Sequence, residues 1–128
     1  MGWGESNLEK EYTLEYTAKM EKSIRKLAEE DKELFAEVRM KLQLFQKGEF
    51  EKLEIKPIKR QKQKHKISEI VIKSPGSYRL FYVVIDTKNK TAVFIDGRKK
   101  KKQKFNSAYF SQLDKSLDRY LDGRNKNE

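Results

Sequence analysis

The chain has 128 residues, with 30 lysines and arginines against 20 aspartates and glutamates, a formal net charge of +10. That length fits one domain with a modest core, and the charge predicts affinity for nucleic acid or another polyanion. Cysteine is absent, which excludes disulfides and thiolate metal sites, and the single histidine, His65, leaves no histidine pair for acid–base chemistry. No metal or other cofactor is expected. No apolar stretch approaches the roughly 20 residues of a membrane helix, and no signal-peptide core is visible, so the expected compartment is the cytoplasm.

Residues 1–10 carry two glycines and little periodicity and read as a loose leader to a single domain over residues 11–122. Tyr12 to Thr17 alternates and is rich in aromatic and β-branched residues, which predicts a strand. Met20, Ile24, Leu27 and Ala28 then fall at helical spacing. Asp31 is placed to cap a second helix with an apolar face of Leu34, Phe35, Val38, Leu42 and Phe45, and Gly48 to stop it. The two helices are expected to form an antiparallel hairpin.

The segment from Leu53 to Lys66 is basic, and Pro57 argues against a central strand, so it reads as a loop with a short extended stretch. Ile67 to Lys73, Tyr78 to Ile85 and Thr91 to Ile95 are strands by composition, separated by Ser74-Pro75-Gly76-Ser77 and by a polar turn over Asp86 to Lys90. Short connections make them an antiparallel meander. Ser107 is placed to cap a final helix with Phe110, Leu113, Leu117, Tyr120 and Leu121 on one face; Asp122-Gly123 ends it, leaving a polar tail over residues 123–128. The fold class is therefore α+β: an antiparallel sheet in the order β-α-α-β-β-β-α, helices covering one face and the other open to a ligand.

The densest feature is Gly97-Arg98-Lys99-Lys100-Lys101-Lys102-Gln103-Lys104, directly after the apolar run Ala92 to Ile95. Held between a strand and a helix, these cations are fixed in direction by folding. Such a cluster is costly to assemble unless an anion lies opposite, and the commonest one is a phosphate backbone.

Four segments carry a resemblance. Lys56-Pro57-Ile58-Lys59, Ser68-Glu69-Ile70-Val71, Gly76-Ser77-Tyr78-Arg79-Leu80-Phe81-Tyr82 and the Gly97–Lys104 tract are similar, in order, to the Lys-Pro-Leu loop, the aromatic–Glu–Leu–Arg strand, the Gly-x-Tyr-Arg-x-x-Tyr strand and the Gly-Phe-x-Lys-Lys-Thr-x-Lys segment of the RelE/ParE toxin superfamily, in its phage-derived HigB-like branch. The resemblance runs from about Tyr12 to Leu121. Two positions depart from the pattern: Val71 stands where many active members carry a cation, and Arg98 stands where they carry phenylalanine.

The resemblance implies a type II toxin that cleaves ribosome-bound mRNA without a metal, by attack of a 2′-hydroxyl on the adjacent phosphate, and that is neutralised by an antitoxin protein. That reaction needs a base, a donor for the leaving oxygen and fixed positive charge for the transition state. On this logic Arg79 is the phosphate clamp, Lys99 and Lys100 supply acid or charge, and His65 replaces the missing base. Lys56, Lys59, Arg60, Arg98, Lys101, Lys102 and Lys104 are phosphate contacts. Phe105 and Tyr109 either stack on a base or belong to the core. Glu69 either orients a lysine or sits opposite one on the sheet. Two other readings stand beside the nuclease: a non-enzymatic binder, whether a ParE-like gyrase inhibitor or a nucleic-acid-binding protein, and an inactive homologue that only binds an antitoxin.

Overall fold

The computed structural model describes residues 11–60, 63–101 and 104–126; the expected leader and Lys102 lie outside them. The chain runs β1 (Thr13–Tyr16), α1 (Ala18–Glu30), α2 (Lys32–Gln46), a short 3-10 turn (Phe50–Lys52), β2 (Ile55–Pro57), β3 (Ser68–Ile72), β4 (Tyr78–Asp86), β5 (Thr91–Lys99) and α3 (Ser107–Lys126).

Local chemistry sets the helix ends. Thr17 Oγ1 accepts from Met20 N–H and starts α1, while its own hydroxyl donates to Ile95 O, pinning the helix entrance to β5. Asp31 closes α1 through its N–H to Leu27 O and opens α2 by accepting from Leu34 N–H, so one residue serves both helices. Gly48 takes the left-handed conformation at φ +76 after α2. In α3 the cap is Asn106, whose Oδ1 accepts from Tyr109 N–H, not Ser107, which is already helical. The helix also continues through Gly123 to Lys126, beyond the expected stop. Tyr120 and Arg124 both donate to Glu15 Oε1 on β1, at 2.6 and 3.0 Å, and this tether offsets the roughly 0.5–1 kcal/mol that glycine costs inside a helix.

The five strands form one sheet in the order β1-β5-β4-β3-β2. The expected meander is present, but the sheet is mixed because β1 pairs parallel to β5, Thr13 opposite Thr91 through Tyr16 opposite Phe94. The path explains it. α2 ends beside the start of β1, where Gln46 O accepts from Tyr12 N–H, and the residues after it lead the chain back along the sheet, so β2 runs in the sense opposite to β1 and three antiparallel pairings bring β5 back parallel to β1. The expected extended stretch is β2 itself, an edge strand whose last residue is Pro57.

Helices cover both faces. Against one, Met20, Leu27, Leu34, Val38, Leu42 and Phe45 from α1 and α2 pack on Ile70, Ile72, Leu80, Tyr82 and Phe94, with Leu14, Ile24 and Phe35 partly buried at the margin. Against the other, Tyr109, Phe110, Leu113 and Leu117 from α3 pack on Ile67, Phe81, Val83, Val93 and Ile95. The open face expected from the sequence is thus occupied: Phe81, Val83, Val93 and Ile95 form a second apolar stripe that the period of β4 and β5 directs away from the helix pair. The end of the sheet before α3 begins, where β4 starts and β5 finishes, is less covered by helix and open to a ligand.

Candidate nucleic-acid interface

β5 does not stop at Gly97. It continues to Lys99, with Leu80 opposite Gly97, Arg79 opposite Arg98 and Tyr78 opposite Lys99. Gly97 is required here: a Cβ would come within 2.8 Å of the Tyr78 ring, which lies across the bare backbone. Because the first part of the tract is strand, its side chains alternate between faces. The lysine tract is therefore split.

On the α3 side, Arg79, Arg98 and Lys100 converge. Arg79 and Arg98 are directly opposed in the β4–β5 register, and two like charges at such a pair cost stability unless an anion lies near. Arg98 lies over the Tyr109 ring at 4.7 Å, and the Lys100 ammonium lies over Phe105 at 5.1 Å. Those rings stack on each other at 5.2 Å and both meet Phe81 edge-on. Tyr109 is buried, and its hydroxyl donates to Asp96 Oδ2 at 2.6 Å, while Asp96 Oδ1 accepts from Ser23 on α1. Burial and then Asp96 push the Tyr109 phenol far above its ordinary range, so it stays neutral. Of the two readings of this aromatic pair, the structure supports core for Tyr109, as a platform under a cation; Phe105 is half-buried beside it.

Arg79 is 13% exposed at its side chain and is held by its own neighbourhood. Its Nη1 donates to Tyr78 O at 3.1 Å and, more weakly, to Ile72 O and Ser77 Oγ, both at 3.4 Å. The buried Nε makes no hydrogen bond; Glu69 Oε1 stands 3.4 Å away as an ion pair. Glu69 is 14% exposed, and burial raises its pKa despite the opposing pull of Arg79, Lys56 and Lys100. A carboxyl held poised among three cations is the group the sequence reading undervalued. The register does place Glu69 opposite Lys56 on β2, as one of the expected alternatives had it. The signal for more was in the sequence: an acid two residues from a buried strand position, within a stretch otherwise apolar.

The remaining residues divide. Lys99 and Lys101 do not join Arg79; they line a groove on the α1 side with Lys22 and Lys26. His65 Nε2 lies 2.8 Å from Asp118 Oδ1 on α3, and Arg60 donates to Asp114 at 2.8 and 3.3 Å and to His65 O. Asp118 is nine residues beyond Tyr109, about 13 Å along the helix, so His65 fastens the β2–β3 loop to α3 away from Arg79, while Arg60 fastens the same loop nearer, at Asp114 and over the Phe110 ring at 5.8 Å. Lys56 is exposed and pairs with Glu54 at 3.3 Å; Lys59 and Lys104 are exposed. Val71, opposite Arg79, is 5% exposed, so no cation replaces the one expected there.

The fold and site define an α+β protein with a basic surface at one end of a mixed sheet, where Arg79, Arg98 and the partly buried Glu69 carboxyl lie on neighbouring strands. Compared with known family models, curated proteins and solved structures, the chain finds no match. Among the described residues no helix is long and apolar enough to cross a membrane.

Proposed function

We propose that this chain is a RelE/ParE-type toxin, an endoribonuclease that cleaves ribosome-bound mRNA and is held in check by an antitoxin. The observation that carries the reading is the Arg79–Arg98 pair at directly opposed strand positions, with the partly buried Glu69 carboxylate beside Arg79. Glu69 takes the proton from the 2′-hydroxyl, its raised pKa making it a stronger base than an exposed glutamate. The 2′-oxygen bonds to phosphorus; Arg79 and Arg98 neutralise the charge on the non-bridging oxygens. The bond to the 5′-oxygen breaks, Lys100 donates the proton it needs, and the products are a 2′,3′-cyclic phosphate and a 5′-hydroxyl. His65 is not required, since Glu69 fills the place the sequence reading gave to it.

Purified protein incubated with programmed ribosomes should yield mRNA fragments with those two ends, and Arg79→Ala should abolish them. Val71 favours a second reading, because an apolar residue in the row of Arg79 and Arg98 leaves one cation fewer for a transition state. That reading is a ParE-like protein that docks on gyrase without cutting RNA. Induced expression separates them: truncated transcripts support the nuclease, whereas growth arrest with intact transcripts and gyrase-linked DNA damage supports docking.

A further inference from the structure

β1 covers β5 only as far as Phe94, so the edge of β5 from Ile95 onward is left between α1 and α3. This opening is a groove of about 580 Å³ whose floor includes Asp96, Gly97 and the Tyr78 ring. It continues into a second depression of about 590 Å³ that shares Lys19, Lys22 and Gln112 with it. Lys19, Lys22 and Lys26 fall on one face of α1 at spacings of three and four, spanning about 10 Å of helix. From the opposite wall α3 contributes Lys115 and Arg119, and from the end of β5 come Lys99 and Lys101. Two carboxylates line the groove, Glu30 and Asp96, and Asp96 is already taken by Ser23 and Tyr109. None of these seven cations forms an ion pair among the described residues. Two helices thus present like charges to each other across a gap, which is unfavourable until an anion fills it.

Arg98 belongs to both places. It lines this groove and lies over Tyr109 in the cleft, so a ligand held at Arg79 reaches the groove by crossing the end of β5. We propose that the α1–α3 groove binds the sugar–phosphate backbone of the same single-stranded RNA that the Arg79 cleft would cut, several nucleotides from the scissile bond. The proposal rests on the ribonuclease reading. Counting Arg98, six of the eight cations that line the groove are lysines, point charges without a fixed fork, and this suits a backbone contact indifferent to sequence.

The test is fluorescence anisotropy with uncleavable 2′-O-methyl RNAs of about 4 and about 16 nucleotides, titrated between about 50 and 200 mM salt. The wild-type chain should bind the longer RNA more tightly. The triple variant Lys19→Gln/Lys22→Gln/Lys26→Gln should lose that gain and reduce the slope of log affinity against log salt by about 2, three contacts at about 0.7 each. Lys115→Gln/Arg119→Gln, from the other wall, should reduce it by about 1. Unchanged thermal midpoints check that both variants fold. Overturning results are a wild-type chain with no length gain, or groove variants that keep both the gain and the slope. Loss of binding to polyglutamate alone, with RNA binding intact, assigns the groove to an acidic polypeptide and also overturns it. If Arg79→Ala leaves binding of the short RNA intact, the cleft reading fails and the groove proposal falls with it; failure of the groove alone leaves the short-RNA result standing.

Discussion

Glu69 and Arg79 form an ion pair at 3.4 Å on neighbouring strands, and substitutions at each should report different things. Arg79→Ala removes a guanidinium aimed at the transition state and should lower single-turnover cleavage by about 10²–10³-fold. Glu69→Gln keeps the shape and deletes the base, so the rise in cleavage rate with pH through the Glu69 titration should vanish. Its stability effect has a definite sign. The folded-state pKa is raised, by burial first, so the folded protein holds this proton more tightly than the unfolded chain. The Glu69 contribution is fully present below the ordinary glutamate pKa and is lost as pH rises through the raised value. The melting temperature of Glu69→Gln relative to wild type should therefore climb as pH increases, and a flat difference would contradict the assigned burial. Val71→Arg, which the sequence suggests as a restored cation, instead enters a 5% exposed position directly opposite Arg79. It should destabilise the fold before it helps catalysis, by about 1–3 kcal/mol in chemical denaturation.

At the scale of elements, α3 decides how much of the sheet a ligand can see. It is anchored in its middle by Leu113 and Leu117, both fully buried, and at its side by the β2–β3 loop. Leu113→Ala should cost about 2–5 kcal/mol in equilibrium unfolding, as a cavity against Phe81 and Ile95 would relax only in part. The loop attachment is electrostatic and carries a pH signature. Hydrogen bonds from Lys64 and His65 hold the Asp118 carboxyl below its usual range. That stabilisation is present above the ordinary aspartate pKa and disappears as pH falls through the lowered folded value. Asp118→Asn should accordingly speed amide exchange at residues 63–67 at neutral pH, and the difference from wild type should fade in acid. An exchange profile indifferent to pH would mean that Arg60 and Asp114 fasten the loop unaided.

For the molecule as a whole, the sequence was most legible where one period served one face. Leu34, Val38, Leu42 and Phe45 announced α2, and the caps Asp31 and Gly48 lie where their chemistry put them. It was least legible where a decision belonged to the tertiary structure. The parallel pairing of β1 depends on a strand about eighty residues away, and nothing in Thr13–Tyr16 encodes a direction. β5 extends into the lysines because β4 offers them a partner, and strand propensity alone ends the element at Ile95. The candidate site was half visible for the same reason. Arg79, Arg98 and Lys100 were chosen by residue type; that Lys99 leaves them, and that His65 goes to Asp118, follows from pleat and loop geometry.

The bare backbone at Gly97 gives the tract a property that composition does not contain. A run of near-identical cations looks interchangeable, yet Arg98 and Lys99, the cations that β5 contains, belong to two interleaved alphabets read from opposite sides of the sheet. Order, and not total charge, is then the inherited quantity. Inserting a single lysine between Gly97 and Arg98 leaves the composition almost untouched, but it should exchange the faces taken by Arg98 and Lys99, as any one-residue slip of a strand does. Scrambled tracts of equal charge should thus sort into two phase classes when assayed together. Those preserving the parity of Arg98 should keep the wild-type response, and those shifting it by one should lose it, although every member carries the same number of positive groups.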